Sequence, residues 1–402
     1  MKYVPIPVAL LEVGKPLPVD VWNASGQLLL RKGQAVVSEV HREKLRAHEA
    51  STTPQDAMAW QRSYERMVHA MLRDGRDVRD IARAPMPSEI RESDYVVSQQ
   101  VQGGWLDLQE VLRGILYQGG MAINPLPRLA GIEQRALALL EADADDALFC
   151  LFQALADNTL GYCATHALLC AVVCQLTAEK LGWEPAQRKP LFSAALVMNI
   201  GMARDQDSLA RQNAGPSDWQ RTLIREHAEK SVAILRGLGV DDAEQLDTVR
   251  WHHAPNAPEG LPQTLAGRRL LALVDGFVAR VAARKTRSAQ SAVKAVRAMV
   301  LGAEGDAIGV GSAIAQVVGF YPPGTYVLLA HGETGVAVQR GARANTPWVI
   351  SLTDQKGMPV ARYQPKDTAD PVYAISEPLD FSKVKVAVNL EKVRKAKVGL
   401  SR

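Results

Sequence analysis

The sequence predicts a mainly α-helical protein with a small β-rich module at either end. Three observations carry that expectation. From residue 145 to about 318, apolar residues recur at helical spacing with no competing strand pattern; the breaks fall at 182–185, 215–216, 239 and 255–262. Before Ala50 and after Gly319, short runs of Val, Leu, Ile and Trp alternate with turn residues. The 402 residues are 47% hydrophobic, 22% charged and 5% aromatic, which excludes collagen-like, low-complexity and wholly disordered chains. A chain of this length can bury a core without disulfide staples.

Residues 1–50 read as a β-rich module with a closing helix. Strand-like runs at 19–22 and 27–30 flank Asn23-Ala24-Ser25-Gly26, a tight-turn composition, and Ser38 is placed to cap a helix running through Leu45 to His48. Residues 51–104 read as a helical connector and linker. Pro54 opens an amphipathic helix through Trp60, Tyr64, Met67 and Met71, and 73–88 turns charged and then proline-broken. Residues 105–318 form the helical domain. It begins with a helix over 105–117, whose apolar face includes Leu108, Leu112 and Ile115, and a second follows Pro127. Residues 319–402 read as a small antiparallel β module with a basic tail, its strands expected at 325–329, 335–338, 348–352 and 385–388.

Lys and Arg total 47 against 43 acids, a net charge of +4. Residues 383–402 alone carry Lys383, Lys385, Lys392, Arg394, Lys395, Lys397 and Arg402 against Glu391, so the rest of the chain is slightly acidic. The surplus is expected in a solvated tail, and no nucleic-acid polymer is expected as a partner. The prolines of Met1-Lys2-Tyr3-Val4-Pro5-Ile6-Pro7 sit where a secretory signal needs an apolar helix. The longest charge-free stretch, 158–178, has the length to span a bilayer. It holds Asn158, Thr159, Thr165, His166, Gln175 and Thr177 and lacks basic flanks, so it reads as a buried core helix. A cytoplasmic protein with no membrane partner is expected. All four cysteines, Cys150, Cys163, Cys170 and Cys174, lie in or beside this stretch without a C-x-x-C pair, which suits reduced thiols. Cys163, Cys170 and Cys174 share a helix face, open to a soft metal or simply to core packing.

Four histidines, His166, His227, His252 and His253, are spread over different helices or helix ends, and Asp275 lies inside the apolar run Leu270-Leu271-Ala272-Leu273-Val274-Asp275-Gly276. A carboxylate in such a helix is costly unless paired or coordinating. Imidazoles from several helices with a buried carboxylate suit a divalent-metal site in a bundle. The same residues also suit a hydrogen-bonded polar core without metal.

At these positions the chain resembles the HD-GYP branch of the HD phosphohydrolase superfamily, over about 148–302. Tyr162-Cys163-Ala164-Thr165-His166 is similar to the family's opening tyrosine and first histidine. Glu226-His227-Ala228 stands where a Thr-His-Pro segment is usual, His252-His253 resembles the paired histidines, and Val274-Asp275 the closing aspartate. Tyr321-Pro322-Pro323-Gly324 is similar to sequence found after such domains. The resemblance implies an HD-type all-helical core, a centre of two or three metal ions (Fe or Mn), and hydrolysis of cyclic di-GMP in bacterial signalling.

The departures bear on that activity. The family's His-Asp pair is replaced by Met198-Asn199, and its following lysine by Met202. A thioether is a poor ligand for such ions, an amide carries no charge with which to bridge two of them, and Met202 offers no cation to a phosphate. The Gly-Tyr-Pro signature stands as Gly260-Leu261-Pro262, without its phenol. Arg284 and Arg287, nine and twelve residues past Asp275, match positions where the family sets basic side chains against ligand phosphates. They lie in a segment, 276–303, without a single acid, which also suits a solvated face. His166, His227, His252, His253 and Asp275 remain as candidate metal ligands.

The expectation is a degenerate HD-GYP-like protein that binds a cyclic dinucleotide or a signalling protein partner without efficient hydrolysis. One alternative is an active metal-dependent phosphohydrolase using the remaining ligands. Another is an interaction scaffold with no ligand. Gly309-Val310-Gly311 lacks the continuation a phosphate loop needs, and His331-Gly332 reads as a surface turn.

Overall fold

The computed structural model describes residues 3–23, 25–73, 76–77, 79–80, 83–90, 103–157, 161–282, 290–301, 307–398 and 400. Contacts divide the chain into two compact units, Met1–Ser98 and Gln99–Arg402.

In the first unit, β1 (Val4–Pro5), β2 (Val21–Trp22), β3 (Leu28–Leu30) and β4 (Ser51–Thr52) make an antiparallel sheet in the order β1-β4-β2-β3. The Ser38 hydroxyl accepts from the His41 backbone N–H at 3.1 Å and caps α1 (Glu39–Ala47), as the sequence predicts. The amphipathic helix is α2 (Pro54–Arg73), and its Trp60 is buried with Ile6, Leu11, Leu17, Val19, Val21 and Leu45. The stretch read as a linker is stitched onto this core over residues 84–89. Ala84 and Met86 are buried, and the Met86 N–H donates to the Leu10 carbonyl at 2.8 Å. Trp60 Nε1 donates to the Pro87 carbonyl at 2.7 Å, and Ser63 Oγ to that of Glu89 at 2.9 Å. Prolines that break a helix still leave carbonyls free to accept, so a proline-rich segment can pack as an extended strap.

The second unit is mainly helical. α3 (Trp105–Gln118), α4 (Pro125–Ala142) and α5 (Ala144–Ala156) lead to α6 (Tyr162–Lys180), followed by α7 (Pro185–Val197), α8 (Ala203–Arg211), α9 (Asp218–Gly237) and α10 (Ala243–Trp251). α11 (Leu265–Val281), α12 (Ala292–Leu301) and α13 (Ala307–Val318) complete the bundle. α6 is its axis: it is apolar on all sides and packs against α7, α5, α11, α13, α8 and α3. It is long and apolar enough to cross a membrane by length and composition, yet 83% of its apolar window is buried inside the protein.

The C-terminal sheet contains β5 (Tyr326–Leu329), β6 (Thr334–Gln339), β7 (Trp348–Ser351), β8 (Pro365–Asp367) and β9 (Ile375–Leu379), in the antiparallel order β8-β7-β6-β5-β9. The first three match the sequence reading. The strand expected at 385–388 does not form: Val384, Val386 and Val388 instead pack their side chains onto the sheet's core without joining its ladder. The two edge strands escaped notice because each contains a proline, Pro365 or Pro378, a residue that sheets tolerate at their margins.

The basic tail is also partly committed. It forms α14 (Leu390–Lys397), seated by the buried Val393, and its cations meet the acids that open α5. Arg394 Nε and Nη2 donate to the two carboxylate oxygens of Asp146 at 2.8 and 2.9 Å, and Lys397 Nζ to Asp143 Oδ2 at 2.8 Å. Arg340 Nε donates to Asp145 Oδ1 at 2.6 Å. The acids favour the positive end of the helix and draw the cations to it.

Candidate metal centre

Four helices bring the site together. α6 supplies His166 from its second turn, with Cys170 one turn further along the same face. α11 supplies Asp275, α9 supplies His227, and the end of α10 leads into His252 and His253. Asp275 lies between two groups. Its Oδ1 is 2.8 Å from His166 Nε2, and its Oδ2 is 4.0 Å from His253 Nδ1.

In the first group, Cys170 Sγ lies 3.5 Å from the His166 Nε2 that also faces Asp275. The other ring nitrogen, Nδ1, is 3.1 Å from the Tyr162 hydroxyl, one turn earlier. These contacts are satisfied together when Tyr162 donates to Nδ1 and the Nε2–H donates to the carboxylate. His166 and Cys170 are buried, while the Asp275 side chain is 16% exposed and opens the group to solvent.

In the second group, His227 Nδ1 donates to the Ile224 carbonyl at 2.6 Å and His252 Nδ1 to that of Val249 at 2.7 Å. Each ring thereby spends its one proton on its own helix. The two Nε2 lone pairs then face each other across 3.3 Å. His253, half exposed, lies tilted by 42° at 4.0 Å from His252 and edge-on at 5.0 Å from His227, centroid to centroid. Burial keeps both inner rings neutral, lowering the His227 pKa and taking that of His252 to about 3. Two facing lone pairs repel unless a proton or a cation lies between them, and a neutral imidazole is the form that ligates metal. Donor atoms of all three rings lie within 4.8 Å of one another, so this group fits an ion of imidazole preference.

Burial alone would raise the Asp275 pKa, but the His166 hydrogen bond and the surrounding histidines hold it well below the usual carboxylate range. Burial pushes the Cys170 and Cys174 thiols up, and the Asp275 charge adds to that.

Met198, Asn199 and Met202 are all buried on the turn between α7 and α8. The Met198 side chain belongs to the main hydrophobic core. The Ser231 hydroxyl clamps this turn to α9, donating to the Met198 carbonyl at 2.8 Å and accepting from the Gly201 N–H at 2.9 Å. The approach is close: a Cβ on Gly201 would sit 2.6 Å from the His227 carbonyl oxygen and 2.8 Å from the Ser231 nitrogen.

The Gly260-Leu261-Pro262 loop is held from beneath by Arg268, whose side chain is 2% exposed. It donates to the Ala257 and Leu261 carbonyls at 3.3 and 3.2 Å and pairs with Asp247 at 3.5 Å. A Cβ on Gly260 would meet that guanidinium at 1.8 Å. Arg284 and Arg287 lie outside the described residues.

The structure thus gathers His166, His227, His252, His253 and Asp275, all named from the sequence. Cys170, which the helix-face pattern groups with Cys163 and Cys174, is instead a neighbour of His166, and the signal for it is their spacing of four along one helix. The Asp247–Arg268 support carried no sequence signal, because its partners are 21 residues apart on different helices.

No family model matches the chain, and no curated protein matches it. Among solved structures it is similar to Bd1817, an HDG"Y"P protein from Bdellovibrio bacteriovorus. The identity is 15% over 78% of this chain and 98% of that one, with a TM-score of 0.40.

Proposed function

We propose that this chain is a metal-binding HD-GYP-like domain that recognises a cyclic dinucleotide without hydrolysing it efficiently. The observation that carries the reading is the convergence of the His227 and His252 lone pairs beside His253 and Asp275, with Met198 packed in the core and Asn199 at the position of the family's aspartate. His227, His252 and His253 would hold an iron or manganese ion, whose charge attracts a phosphate. The Nδ1 hydrogen bonds orient two of these rings, and Asp275 supplies negative charge at the edge of the group. The Asn199 amide brings no charge to fix a second ion against the first, so the water activation that hydrolysis needs is weak. Arg284 and Arg287 are the proposed phosphate contacts, and the domain is proposed to act in bacterial cytoplasmic signalling.

Metal analysis of the purified protein, calorimetric titration with cyclic di-GMP and chromatography of the incubated nucleotide test this together. Near-stoichiometric metal lost in His252→Ala, binding weakened in Arg284→Ala/Arg287→Ala, and intact nucleotide are expected. Linearised nucleotide would overturn the reading in favour of a phosphohydrolase, for which the contiguity of both groups through Asp275 provides ligands. Absence of both metal and nucleotide binding would overturn it in favour of a protein-interaction scaffold.

A further inference from the structure

We infer that Cys170, His166 and Asp275 form a thiolate-containing site for a thiophilic divalent ion, zinc in the first instance, separate from the three-histidine group. The inference rests on reading the histidine centre as metal-binding and adds a ligand type that the sequence resemblance does not supply.

Geometry is the main argument. Cys170 Sγ and Asp275 Oδ1 approach the same atom, His166 Nε2, at 3.5 and 2.8 Å, and donors of the three residues lie within 4.8 Å of one another. With zinc–sulfur and zinc–nitrogen bonds of about 2.3 and 2.05 Å, a tetrahedral ion separates those two donors by about 3.6 Å. The sulfur–nitrogen edge is therefore already in place. The corresponding nitrogen–oxygen edge is about 3.3 Å, so the carboxylate must withdraw by roughly half an ångström from its present hydrogen bond. Three protein ligands leave a fourth position for water, which the partly exposed Asp275 edge can admit.

The proton balance closes within the site and solvent. The ion takes the place of the Cys170 thiol proton, which leaves to solvent as the sulfur–metal bond forms. The His166 ring changes tautomer: its proton moves from Nε2 to Nδ1, and the Tyr162 hydroxyl, 3.1 Å from Nδ1, turns from donor to acceptor. No other residue needs to gain or lose a proton.

The donor set also predicts selectivity. A thiolate favours zinc or cobalt over manganese or magnesium, and the three-imidazole group has no such soft ligand. Imidazole also accepts these ions, so the two groups are told apart by the sulfur charge-transfer signature and by variant.

The test is loading of the full chain with cobalt(II), read by near-ultraviolet absorption. The expected result is a thiolate-to-cobalt charge-transfer band that is lost in Cys170→Ser and Cys170→Ala and kept in Cys163→Ser and in His227→Ala. With the histidine group removed by His227→Ala, adding Cys170→Ser should lower zinc affinity by roughly 100-fold and manganese affinity by less than about tenfold. The unmodified chain decides the main point without any variant, because cobalt bound with no charge-transfer band overturns the inference. A band that survives Cys170→Ala overturns it as well. Cobalt retained only through His227, His252 and His253 would refute the thiolate site while leaving the proposed function standing. No bound cobalt, iron or manganese at all would defeat both.

Discussion

Replacing Gly201 by alanine tests whether the turn bearing Met198 and Asn199 is fixed against the helix that carries His227. The added methyl would meet the His227 carbonyl oxygen at 2.6 Å, the Ser231 nitrogen at 2.8 Å and the Ser231 hydroxyl at 2.9 Å. Two of these are backbone atoms, so no rotamer change relieves the clash and the turn must move off α9. Overpacking of this kind costs about 1–3 kcal/mol. Moving the turn also strains the two Ser231 hydrogen bonds, at about 0.5–1.5 kcal/mol each. The expected loss is roughly 2–6 kcal/mol, or a fall in melting temperature of about 3–10 °C for a unit of this size. Gly237→Ala is the matched control: it lies in the same helix with open space at its Cβ, and it should be neutral or stabilising by up to about 1 kcal/mol. Thermal and urea unfolding of both variants provide the measurement. A Gly201→Ala protein within 1 kcal/mol of the parent on the same scale would refute the clamp.

Asp247→Ala should cost about 3–5 kcal/mol, because it strands the buried Arg268 guanidinium, and Arg268→Met should cost less; urea midpoints rank the two. Glu333 ends the turn between β5 and β6, bonded by Lys366, Ser351 and His331. Burial would raise its pKa, but these partners hold it at about 2 against an ordinary 4.5. Its contribution is therefore complete above pH 4.5 and is lost as the pH falls toward 2. After solvent screening it amounts to roughly 1–2 kcal/mol, and Glu333→Gln should remove that segment of the acid-unfolding curve. Arg340→Ala and Arg394→Ala should each cost about 0.5–1 kcal/mol, less at high salt, with the melting temperature as readout.

The helical domain was legible because its signal is local. α6 is apolar on every face, and a helix of that kind has to be buried. The site histidines and Asp275 stood out for a related reason, as polar groups in runs whose neighbours belong in a core. The chain could not reveal which polar groups pair across helices. His166 meets Asp275 at a separation of 109 residues, and that same nitrogen also faces Cys170, a partner that matters only once both are in position. The edge strands β8 and β9 were illegible because short, proline-bearing segments look like loops until a neighbouring strand supplies the ladder. The segment at 385–388 erred in the opposite direction: alternating valines satisfy a strand pattern but are used here as a strap over the sheet.

The three aspartates at the start of α5 bear on the order of folding. Asp145 pairs across 195 residues, Asp146 across 248 and Asp143 across 254. During synthesis, therefore, α5 emerges with a bare acidic first turn and waits for most of the second unit to follow. Its partners close long loops, the kind of contact that forms late and slows folding. Until then the face of α5 that receives the C-terminal sheet, Phe149 included, is exposed apolar surface. A folding bundle in that state is a natural client for a chaperone, and truncation before Arg340 should leave it aggregation-prone even though the predicted metal ligands are already present.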